Sequence, residues 1–506
     1  MQNAQAQVLP FPKTRRLPEG RQAQLEKLPL CVGLNGSLLA ADPVDECLVG
    51  LLRHKPLVLL QAVWQTRGER SALRQRLGQE CELDVASLPF NTAVLRYVEQ
   101  QKGNGRRVVL ATAIHRTVAE RIADHLGVFD EVLAADALNS EEKTIAEALV
   151  GRFGAGGYSY IGAAECDLPV WESAAEALLV NPSGRLEAKA RAAAFVSCVF
   201  GNRDGRLTSL LKALRSAQWA KNLLVFVPAF AAVPWTDPAA MLAAAFMFVA
   251  FCLAASGSYI INDLIDIAAD RRHSRKRTRP FAGGQLPLRY GVLGPAFIGA
   301  GILLAATLSL LAGLAIVLFA GIATAYSFWL KRKPLADVLS LASLYAVRLL
   351  GGAIACGLMV SSWLVVVSGF LFLALALIKR AAELQETDTT IAEGPALGYG
   401  SANVGRVCAI GVFSSVIAIL VLALYIDSAA LSGVYLEPLS LWLAVPAMLC
   451  WQCRLWLAAT RGTMHTDPIV YTARDPVSWG CFGIVAVAYL IAVGSIGLLP
   501  GASAPA

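Results

Sequence analysis

Residues 258–284 read SYIINDLIDIAADRRHSRKRTRPFAGG, and within this stretch an apolar helix end gives way to dense charge. Asn262, Asp266 and Asp270 recur every four residues, which places them on nearly one face of a helix, and Asp263 adjoins the first of them. Amide and carboxylate oxygens suit Mg²⁺, which binds a few carboxylates and completes its shell with water or substrate phosphate. The spacing therefore predicts a magnesium site at Asn262, Asp266 and Asp270.

A basic run follows these acids at once. It comprises Arg271, Arg272, His273, Arg275, Lys276, Arg277 and Arg279. Positive charge at the end of an apolar helix is most often a topology signal, and this reading accounts for any single arginine. It does not account for the evenly spaced acids beside the run. Because arginine can bind phosphate in bidentate fashion, the combination predicts a phosphorylated, water-soluble substrate that meets a lipid.

The composition is that of a membrane protein with a soluble N-terminal part. Of the 506 residues, 56% are hydrophobic and 16% charged, and the long apolar runs begin at about residue 222. The net charge of +7 is explained largely by topology and requires no nucleic-acid partner. Eleven scattered cysteines fit a reducing cytosol and lipid, and the Cys450–Cys453 pair lies in an apolar span, where packing is the expected role. Residues 1–26 are expected to be a disordered tail.

Strands and helices alternate over residues 27–183, which predicts a parallel, doubly wound α/β (Rossmann-like) domain. The order resembles the haloacid dehalogenase (HAD) hydrolases, whose first strand ends in DxDGT. Here the same place reads GLNGS from Gly33 to Ser37, so the residues of the nucleophile and the acid/base are glycine and asparagine. Thr112, Lys143 and Asp167 match later motifs, but Ala163 replaces a metal-binding aspartate. We expect a degenerate HAD-like domain without phosphatase activity by the usual mechanism.

Residues 184–221 are predicted to form a linker and an interfacial helix, and residues 222–500 an all-α transmembrane bundle of nine helices. The predicted spans are 222–240, 241–263, 290–311, 312–330, 338–358, 362–380, 405–426, 438–458 and 479–499. Lys and Arg gather in the loops at one end, including 271–279 and 331–333, and are missing from those at the other. The positive-inside rule places the N-terminal domain in the cytoplasm and the C-terminus outside, in the cytoplasmic membrane.

Polar residues at the cytoplasmic ends of these spans form a second candidate set. They are Tyr326, Lys331, Asp337, Arg348, Lys379, Arg380 and Glu383, followed by Glu386, Asp388, Tyr399, Arg461, His465, Asp467, Arg474 and Asp475. An intramembrane cation such as Arg348 is costly, which indicates either a functional role or a structural partner for one acid. His465 is read most simply as an ordinary loop histidine.

The nine spans, NDLIDIAAD and the following KRTRPFAGG resemble the UbiA superfamily of intramembrane prenyltransferases over about residues 205–500. In that family the residues corresponding to Asn262, Asp266 and Asp270 hold Mg²⁺ on a diphosphate. The second acidic motif is missing in its usual DxxxD form, because the matching segment reads LIKRAAELQETD. SAQWAKNLLVF, YSFWLKRKPLADVLSLASLYAVRLLGG and WLAATRGTMHTDPIVYTARD are similar to one branch, the decaprenyl-phosphate phosphoribosyltransferases.

That branch transfers 5-phosphoribose from phosphoribosyl diphosphate (PRPP) to a polyprenyl phosphate, which gives a precursor of arabinofuranose donors. The resemblance implies catalytic roles for Asn262, Asp266, Asp270 and Lys379. It implies substrate binding by Lys221, Asp263, Lys276, Arg279, Tyr326, Lys331, Arg348, Arg380 and Glu383. Two alternatives remain: a prenyltransferase that acts on an aromatic or other acceptor, and a non-enzymatic membrane scaffold. An ion transporter fits less well, because the acids gather at one end of the spans and not at the midplane.

Overall fold

The computed structural model describes residues 13–14, 24–55, 58, 61, 64–65, 84–134, 144–201, 205–232, 238–273, 276–387, 404–428, 435, 437–464 and 467–494. The chain divides into two compact units. The first consists of Met1–Ala213 together with Asp263–Gly291, and the second of Leu214–Asn262 together with Val292–Ala506. The first unit is therefore built from two separate stretches of sequence. The predicted boundaries at residues 27–183 and 222–500 stay a prediction.

A seven-stranded sheet forms the centre of the first unit. Its strands are β1 (Lys13–Thr14), β2 (Leu30–Gly33), β3 (Val108–Ala111), β4 (Glu131–Leu133), β5 (Ser159–Gly162), β6 (Glu176–Val180) and β7 (Val196–Phe200). The spatial order is β1-β7-β6-β5-β2-β3-β4, and all neighbours are parallel except β1 and β7. Because β2 is central and the order reverses on either side of it, the sheet is doubly wound, and the predicted Rossmann-like α/β fold is confirmed.

Both faces of this sheet are buried. Leu30 and Val32 belong to the apolar cluster on one face, whereas Cys31, between them in sequence, belongs to the cluster on the other. The surrounding helices are α1 (Pro43–His54), α2 (Thr92–Gly103), α3 (Arg116–Leu126), α4 (Ile145–Phe153), α5 (Leu168–Glu172), α6 (Gly184–Ala193) and α7 (Arg206–Ala213). Burial on both faces explains why these strands are continuous apolar runs and not alternating ones.

Local sequence determines where several of these helices begin. The Asp42 carboxylate accepts a hydrogen bond from the Val44 backbone N–H at the start of α1, where Pro43 occupies the first turn. At the start of α4, Thr144 and Glu147 form a reciprocal capping box. Such caps satisfy backbone N–H groups that have no partner within the helix.

The α/β fold extends beyond the segments predicted for it. The predicted linker contains α6 and β7, and β7 adds a parallel strand beside β6, so the sheet continues beyond residue 183. In the predicted tail, Lys13 and Thr14 pair with Val199 and Cys198 as an antiparallel edge strand. Alanine-rich composition concealed the helix–strand pair in residues 184–200, because it lacks the strong periodicity of the earlier strands.

The second unit is helical. After a 3₁₀ segment at Ser216–Phe226, its helices are α8 (Val227–Ala232), α9 (Pro238–Ile265), α11 (Leu293–Ala306), α12 (Leu310–Phe328), α13 (Pro334–Ala355), α14 (Ser362–Thr387), α15 (Val404–Asp427), α16 (Ala444–Thr460), α17 (Pro468–Thr472) and α18 (Pro476–Ala492). The last residues of α9 and the short α10 (Ile267–Arg272) belong to the first unit. Polar caps and prolines mark several of these ends, such as Asp475 at the start of α18.

Within the described residues, seven helices are long and apolar enough to cross a membrane, and Pro476–Ala492 is a shorter apolar helix. The predicted membrane bundle is thus confirmed, and the seven helices correspond to seven of the nine predicted spans. The predicted first span, 222–240, is not one continuous helix: the 3₁₀ segment passes into the six-residue α8, and α9 begins at Pro238.

Candidate functional site

The predicted acidic row lies where one helix ends and another begins. Asn262 and Asp263 are in the last turn of α9, Asp266 separates it from α10, and Asp270 is within α10. Asp266 has φ −90° and ψ 3°, so the regular helix is interrupted at this residue. The Asp270 N–H still donates to the Asp266 carbonyl at 2.8 Å, so the turn continues across the interruption. Asn262, Asp266 and Asp270 are therefore close to helical spacing, but they do not lie on one uninterrupted helix.

The carboxylates that share a partner in the structure are Asp263 and Asp270. Both are buried, with 2% and 4% of their surface exposed. Arg279 Nη1 donates to Asp270 Oδ2 at 2.6 Å and to Asp263 Oδ1 at 3.3 Å. One guanidinium nitrogen thus neutralises two buried acids, as burial of negative charge requires. Arg279 pairs with these acids in the structure, and its predicted binding of phosphate stays a prediction.

These residues fit a magnesium ion in their chemistry. Every donor is a carboxylate or amide oxygen, which is the ligand type Mg²⁺ prefers, and Asp263 and Asp270 already converge on one positive charge. No group of three or more His, Cys, Asp or Glu side chains in the described part of the chain is arranged to hold a metal by itself. Since Mg²⁺ usually keeps several positions for water and substrate phosphate, two or three protein oxygens suffice.

The remaining cations of residues 263–291, which we call the acidic loop, differ in exposure. Lys276 is exposed in a short 3₁₀ turn and is well placed to meet a soluble ligand. Arg271 is buried against Glu46, and Arg272 pairs with Asp84 at 2.7 Å in an exposed position. Arg275 lies outside the described residues. Some cations of the basic run thus form ion pairs with acids of the first unit, and others, such as Lys276, are exposed to solvent.

A separate group of buried charges lies in the membrane unit, and we call it the buried charge cluster: Lys221, Tyr326, Asp337, Tyr345, Lys379, Arg380, Glu383 and Asp467. Lys221 Nζ is 2.6 Å from Asp467 Oδ2, and the Tyr345 hydroxyl donates to the same carboxylate at 3.2 Å. Burial works against ionisation of Asp467, but Lys221 and Lys379 outweigh it and hold the pKa of this loop carboxyl below its usual value.

Arg380 links the other side of this cluster. Its guanidinium donates to Asp337 and Glu383, and its Nη2 donates to the Tyr326 hydroxyl at 2.7 Å. Lys379 Nζ lies 4.0 Å from Glu383 Oε1 and retains 22% of its side chain exposed. Asp337 and Arg380 are almost fully buried, whereas Lys379 and Glu383 lie at the accessible edge. Lys331 lies in the 3₁₀ turn before α13.

Arg348 has partners other than an acid. Its Nε donates to Asn222 Oδ1 at 2.7 Å, it donates to the Leu344 carbonyl, and its guanidinium carbon lies 4.5 Å from the centre of the Phe319 ring. Only 3% of its surface is exposed. These contacts join α13 to the 3₁₀ segment that carries Lys221 and Asn222, and the predicted alternatives of a functional role or a partner acid for Arg348 stay predictions.

The sequence placed Asp337 and Asp467 in the second candidate set without assigning them a partner, and it missed Tyr345 and Asn222 altogether. Asp467 directly precedes Pro468, and Asp337 lies in the first turn of the helix that begins at Pro334. Tyr345 and Asn222 carried no such signal, since a lone polar residue in an apolar helix is common. His465, Asp388 and Tyr399 lie outside the described residues.

Strand β2 of the α/β domain ends at Gly33, and the space beside this residue is filled by other side chains. A Cβ added at Gly33 would lie 2.8 Å from the Tyr160 hydroxyl, which donates to Asp167 Oδ1 at 3.2 Å. Asp167 Oδ2 accepts from the Ala163 and Ala164 backbone N–H groups. Burial raises the pKa of the Asp167 carboxyl, and the hydrogen bonds from these N–H groups oppose the rise. The position where a HAD nucleophile would stand is filled, and Lys143 lies outside the described residues.

The fold and the site define an integral membrane protein of the transferase type, and comparison with known proteins gives its family. A model described as the UbiA prenyltransferase family matches residues 223–471. The chain is 33% identical over 479 residues to the uncharacterized protein y4nM of Sinorhizobium fredii, across 92% of this chain and 91% of that protein. The chain belongs to the UbiA prenyltransferase family, and its similarity to y4nM covers both halves.

A second relative is an enzyme of named activity. The chain is 40% identical over 194 residues to the decaprenyl-phosphate phosphoribosyltransferase of Mycolicibacterium smegmatis, across 36% of this chain and 59% of that enzyme. The match thus spans less than two thirds of the enzyme's length. Among solved structures, a UbiA homolog from Archaeoglobus fulgidus bound to GPP and Mg²⁺ is similar with a TM-score of 0.44 and 19% sequence identity, across 57% of this chain and 100% of that one.

Proposed function

We propose that this protein transfers 5-phosphoribose from PRPP to a polyprenyl phosphate, in the cytoplasmic membrane and with its α/β domain in the cytoplasm. The observation that carries the proposal is the 40% identity over 194 residues to the phosphoribosyltransferase of M. smegmatis. The missing second acidic motif of ordinary prenyltransferases supports it, because Lys379 and Arg380 stand in that segment.

The reaction is a substitution at C1 of the ribose. The bond from C1 to the diphosphate oxygen breaks, the bond from C1 to an oxygen of the lipid phosphate forms, and diphosphate leaves with the bonding electron pair. The lipid phosphate is already anionic, so it needs no strong base. The transition state places positive charge on the ribose and additional negative charge on the leaving diphosphate, and cations in a site with little water stabilise the latter strongly.

The acidic loop is assigned to the donor. Asn262, Asp266 and Asp270 would hold Mg²⁺, with Asp263 beside them, and the ion would supply positive charge to the diphosphate. Arg279 is paired with Asp263 and Asp270 without substrate, so a metal on those acids would release its guanidinium for a phosphate. Lys276 is exposed and already available.

The buried charge cluster is assigned to phosphate binding within the membrane unit. Lys379 keeps part of its side chain exposed and has a long ion pair with Glu383, so it is the cation most easily redirected to a ligand. Lys221 is paired with Asp467, and Arg380 is paired with Asp337. The net charge of the cluster is therefore close to zero before an anion binds. Tyr326, Lys331 and Glu383 are assigned to the same substrate, and Arg348 supports the segment that carries Lys221. We assign no phosphatase activity to the α/β domain.

The test uses full-length protein in detergent with Mg²⁺, polyprenyl phosphate and PRPP labelled in the ribose. We expect label in the organic phase, its loss on chelation of the metal, and a decrease of about a hundredfold or more in Asp270→Ala. Asp124→Ala, an exposed acid on α3, is the matched control and should transfer label as the wild type does. Full activity of Asp270→Ala would overturn the assignment of the acidic loop.

One alternative has an observation in its favour. The family model is described as a prenyltransferase family, in which a prenyl diphosphate would be the donor. That function predicts release of diphosphate from a prenyl diphosphate in the presence of an aromatic acceptor and no consumption of PRPP. The same preparation can be given either pair of substrates, so the two functions are separated directly.

A further inference from the structure

The acidic loop belongs to the same compact unit as the α/β domain, although Glu46 and Arg271, which join the two, are 225 positions apart in sequence. Its contacts with that domain involve three neighbouring elements: the turn after β2, the first turn of α1, and the 3₁₀ turn at Val85–Ser87. The turn after β2 follows the carboxyl end of the central strand. In doubly wound sheets this edge is where ligands bind.

The main contact is a buried, bidentate ion pair. Arg271 Nη1 is 3.0 Å from Glu46 Oε2, and Arg271 Nη2 is 2.5 Å from Glu46 Oε1. The two side chains are only 6% and 8% exposed. Arg271 Nε also donates to the Ala282 carbonyl at 3.1 Å, so the same guanidinium holds the far end of the loop. All three donor nitrogens of this arginine are used, and a buried pair of this kind is strongly disturbed by loss of one partner.

Two further contacts hold the C-terminal part of the acidic loop, at Gly284 and Arg289, against the α/β domain. Burial raises the pKa of the Asp45 carboxyl and the nearby Arg289 backbone opposes the rise, so consecutive acids of α1 face two different parts of the loop. Gly284 has φ +66°, and a Cβ added there would lie 2.8 Å from the Ala40 Cβ. Only glycine fits this left-handed turn at such close approach. The loop is therefore shaped to this surface of the α/β domain.

The ion pair is adjacent to the residues assigned to the metal. Arg271 directly follows Asp270, whose carboxylate is held by Arg279 from the other end of the same loop. Glu46 thus fixes the backbone beside Asp270 without touching any group assigned to substrate. In the α/β domain, meanwhile, the position of the HAD nucleophile is filled by the Tyr160 hydroxyl. This domain retains a ligand-binding edge, and a loop of its own chain lies against it.

We infer that the α/β domain serves the transferase by holding the acidic loop in its working conformation, and that Glu46 is a positioning residue for the transfer reaction. The inference rests on the proposed function for its catalytic part, while the docking of the loop is independent of it. It predicts that Glu46→Gln lowers kcat by about ten- to a hundredfold, as small displacements of catalytic groups do. The KM for polyprenyl phosphate should be unchanged, because the buried charge cluster is not altered.

The matched control is the second ion pair between loop and domain. Arg272 and Asp84 are 2.7 Å apart but 70% and 50% exposed, and exposed pairs contribute little. Asp84→Asn should therefore behave as the wild type. The exchanged pair Glu46→Arg with Arg271→Glu should recover part of the lost kcat, which a general loss of folding would not allow.

The experiment compares hydrogen–deuterium exchange of residues 276–291 and transfer kinetics in full-length wild type, Glu46→Gln, the exchanged pair and Asp84→Asn. We expect loop amides of Glu46→Gln to exchange about tenfold faster or more, with kcat reduced and with recovery in the exchanged pair. Unchanged exchange would overturn the docking role of Glu46. Faster exchange with unchanged kcat would overturn its positioning role. If the wild type transfers no phosphoribose, the proposed function fails, and the exchange data alone then support or overturn the docking.

Discussion

At the residue scale, the charged side chains of this protein are arranged in small groups in which each buried charge has a partner. Arg279 serves Asp263 and Asp270, Lys221 serves Asp467, and Arg380 serves Asp337. The resemblance to the UbiA superfamily implied that these cations bind substrate, and that role stays a prediction. The sequence did not predict the pairs, since residues such as Tyr345 and Asp467 are 122 positions apart and meet only through packing.

The Lys221–Asp467 pair should stabilise the membrane unit in a pH-dependent way. Asp467→Asn leaves a buried, unpaired lysine and should lower stability by about 3–5 kcal/mol at pH 7. The pKa of Asp467 is lowered in the folded protein, so its contribution is present above the ordinary aspartate pKa of about 3.9 and is lost as pH falls through the folded value.

Thermal unfolding in detergent measures this effect. The difference in Tm between wild type and Asp467→Asn should be large at pH 7 and should decrease only below about pH 4. Glu437→Gln, an exposed acid of the same unit, is the control and should not change Tm at either pH. Equal Tm values for wild type and Asp467→Asn at neutral pH would contradict the assigned pairing.

Gly33 tests the site that the sequence predicts to be a degenerate phosphatase site. Gly33→Asp would place a side chain where Tyr160 Oη is 2.8 Å and the Ile161 carbonyl 3.0 Å from the new Cβ. We expect a loss of about 1–3 kcal/mol of stability and no hydrolysis of p-nitrophenyl phosphate. Gly50→Ala, in α1 with open space around it, should instead be neutral or more stable by up to about 1 kcal/mol. A stable Gly33→Asp protein with phosphatase activity would show that the site is open.

At the element scale, the type of each long segment was predictable and many boundaries were not. Period and length identified β2, β3 and β5 and the apolar helices from α9 to α16, because those signals are strong. The sequence did not reveal that the segment after Trp219 begins as a 3₁₀ helix, or that α9 is interrupted at Asp266. Both departures depend on tertiary contacts, such as the hydrogen bond from Trp219 Nε1 to Ser256 Oγ at 3.0 Å.

The close approach of α13 to the 3₁₀ segment leads to a prediction about how these two elements pack. A Cβ added at Gly352 would lie 2.0 Å from the Val225 carbonyl oxygen, so the two backbones can meet only at glycine. Gly352→Ala should cost about 1–3 kcal/mol or more and should lower transfer activity, because the displaced segment carries Lys221.

Gly369→Ala is the control for Gly352→Ala. Gly369 lies in α14 with no atom within 4 Å of an added Cβ, and this substitution should be tolerated. Thermal unfolding and the labelled-ribose assay measure both variants. If Gly352→Ala retains wild-type Tm and activity, the α13 contact does not position the 3₁₀ segment.

At the scale of the whole molecule, the two compact units do not follow one another along the sequence, because the first unit contains a segment that lies within the membrane half of the chain. The sequence indicates a soluble domain followed by a membrane domain, and both fold classes were predicted from periodicity and composition. It did not indicate that Asp263–Gly291 would join the α/β unit, because no local pattern links Arg271 to Glu46. A long-range ion pair of this kind becomes visible only in the folded chain.

The central claim is that the prenyl chain is the acceptor and not the group transferred. The most direct measurement offers the full-length protein PRPP, polyprenyl phosphate, a prenyl diphosphate and an aromatic acceptor together with Mg²⁺, and identifies the products by mass spectrometry. We expect a polyprenyl lipid that has gained one phosphoribosyl group, with PRPP consumed. A prenylated aromatic product, with PRPP unchanged, would contradict the claim and assign the protein as a prenyltransferase.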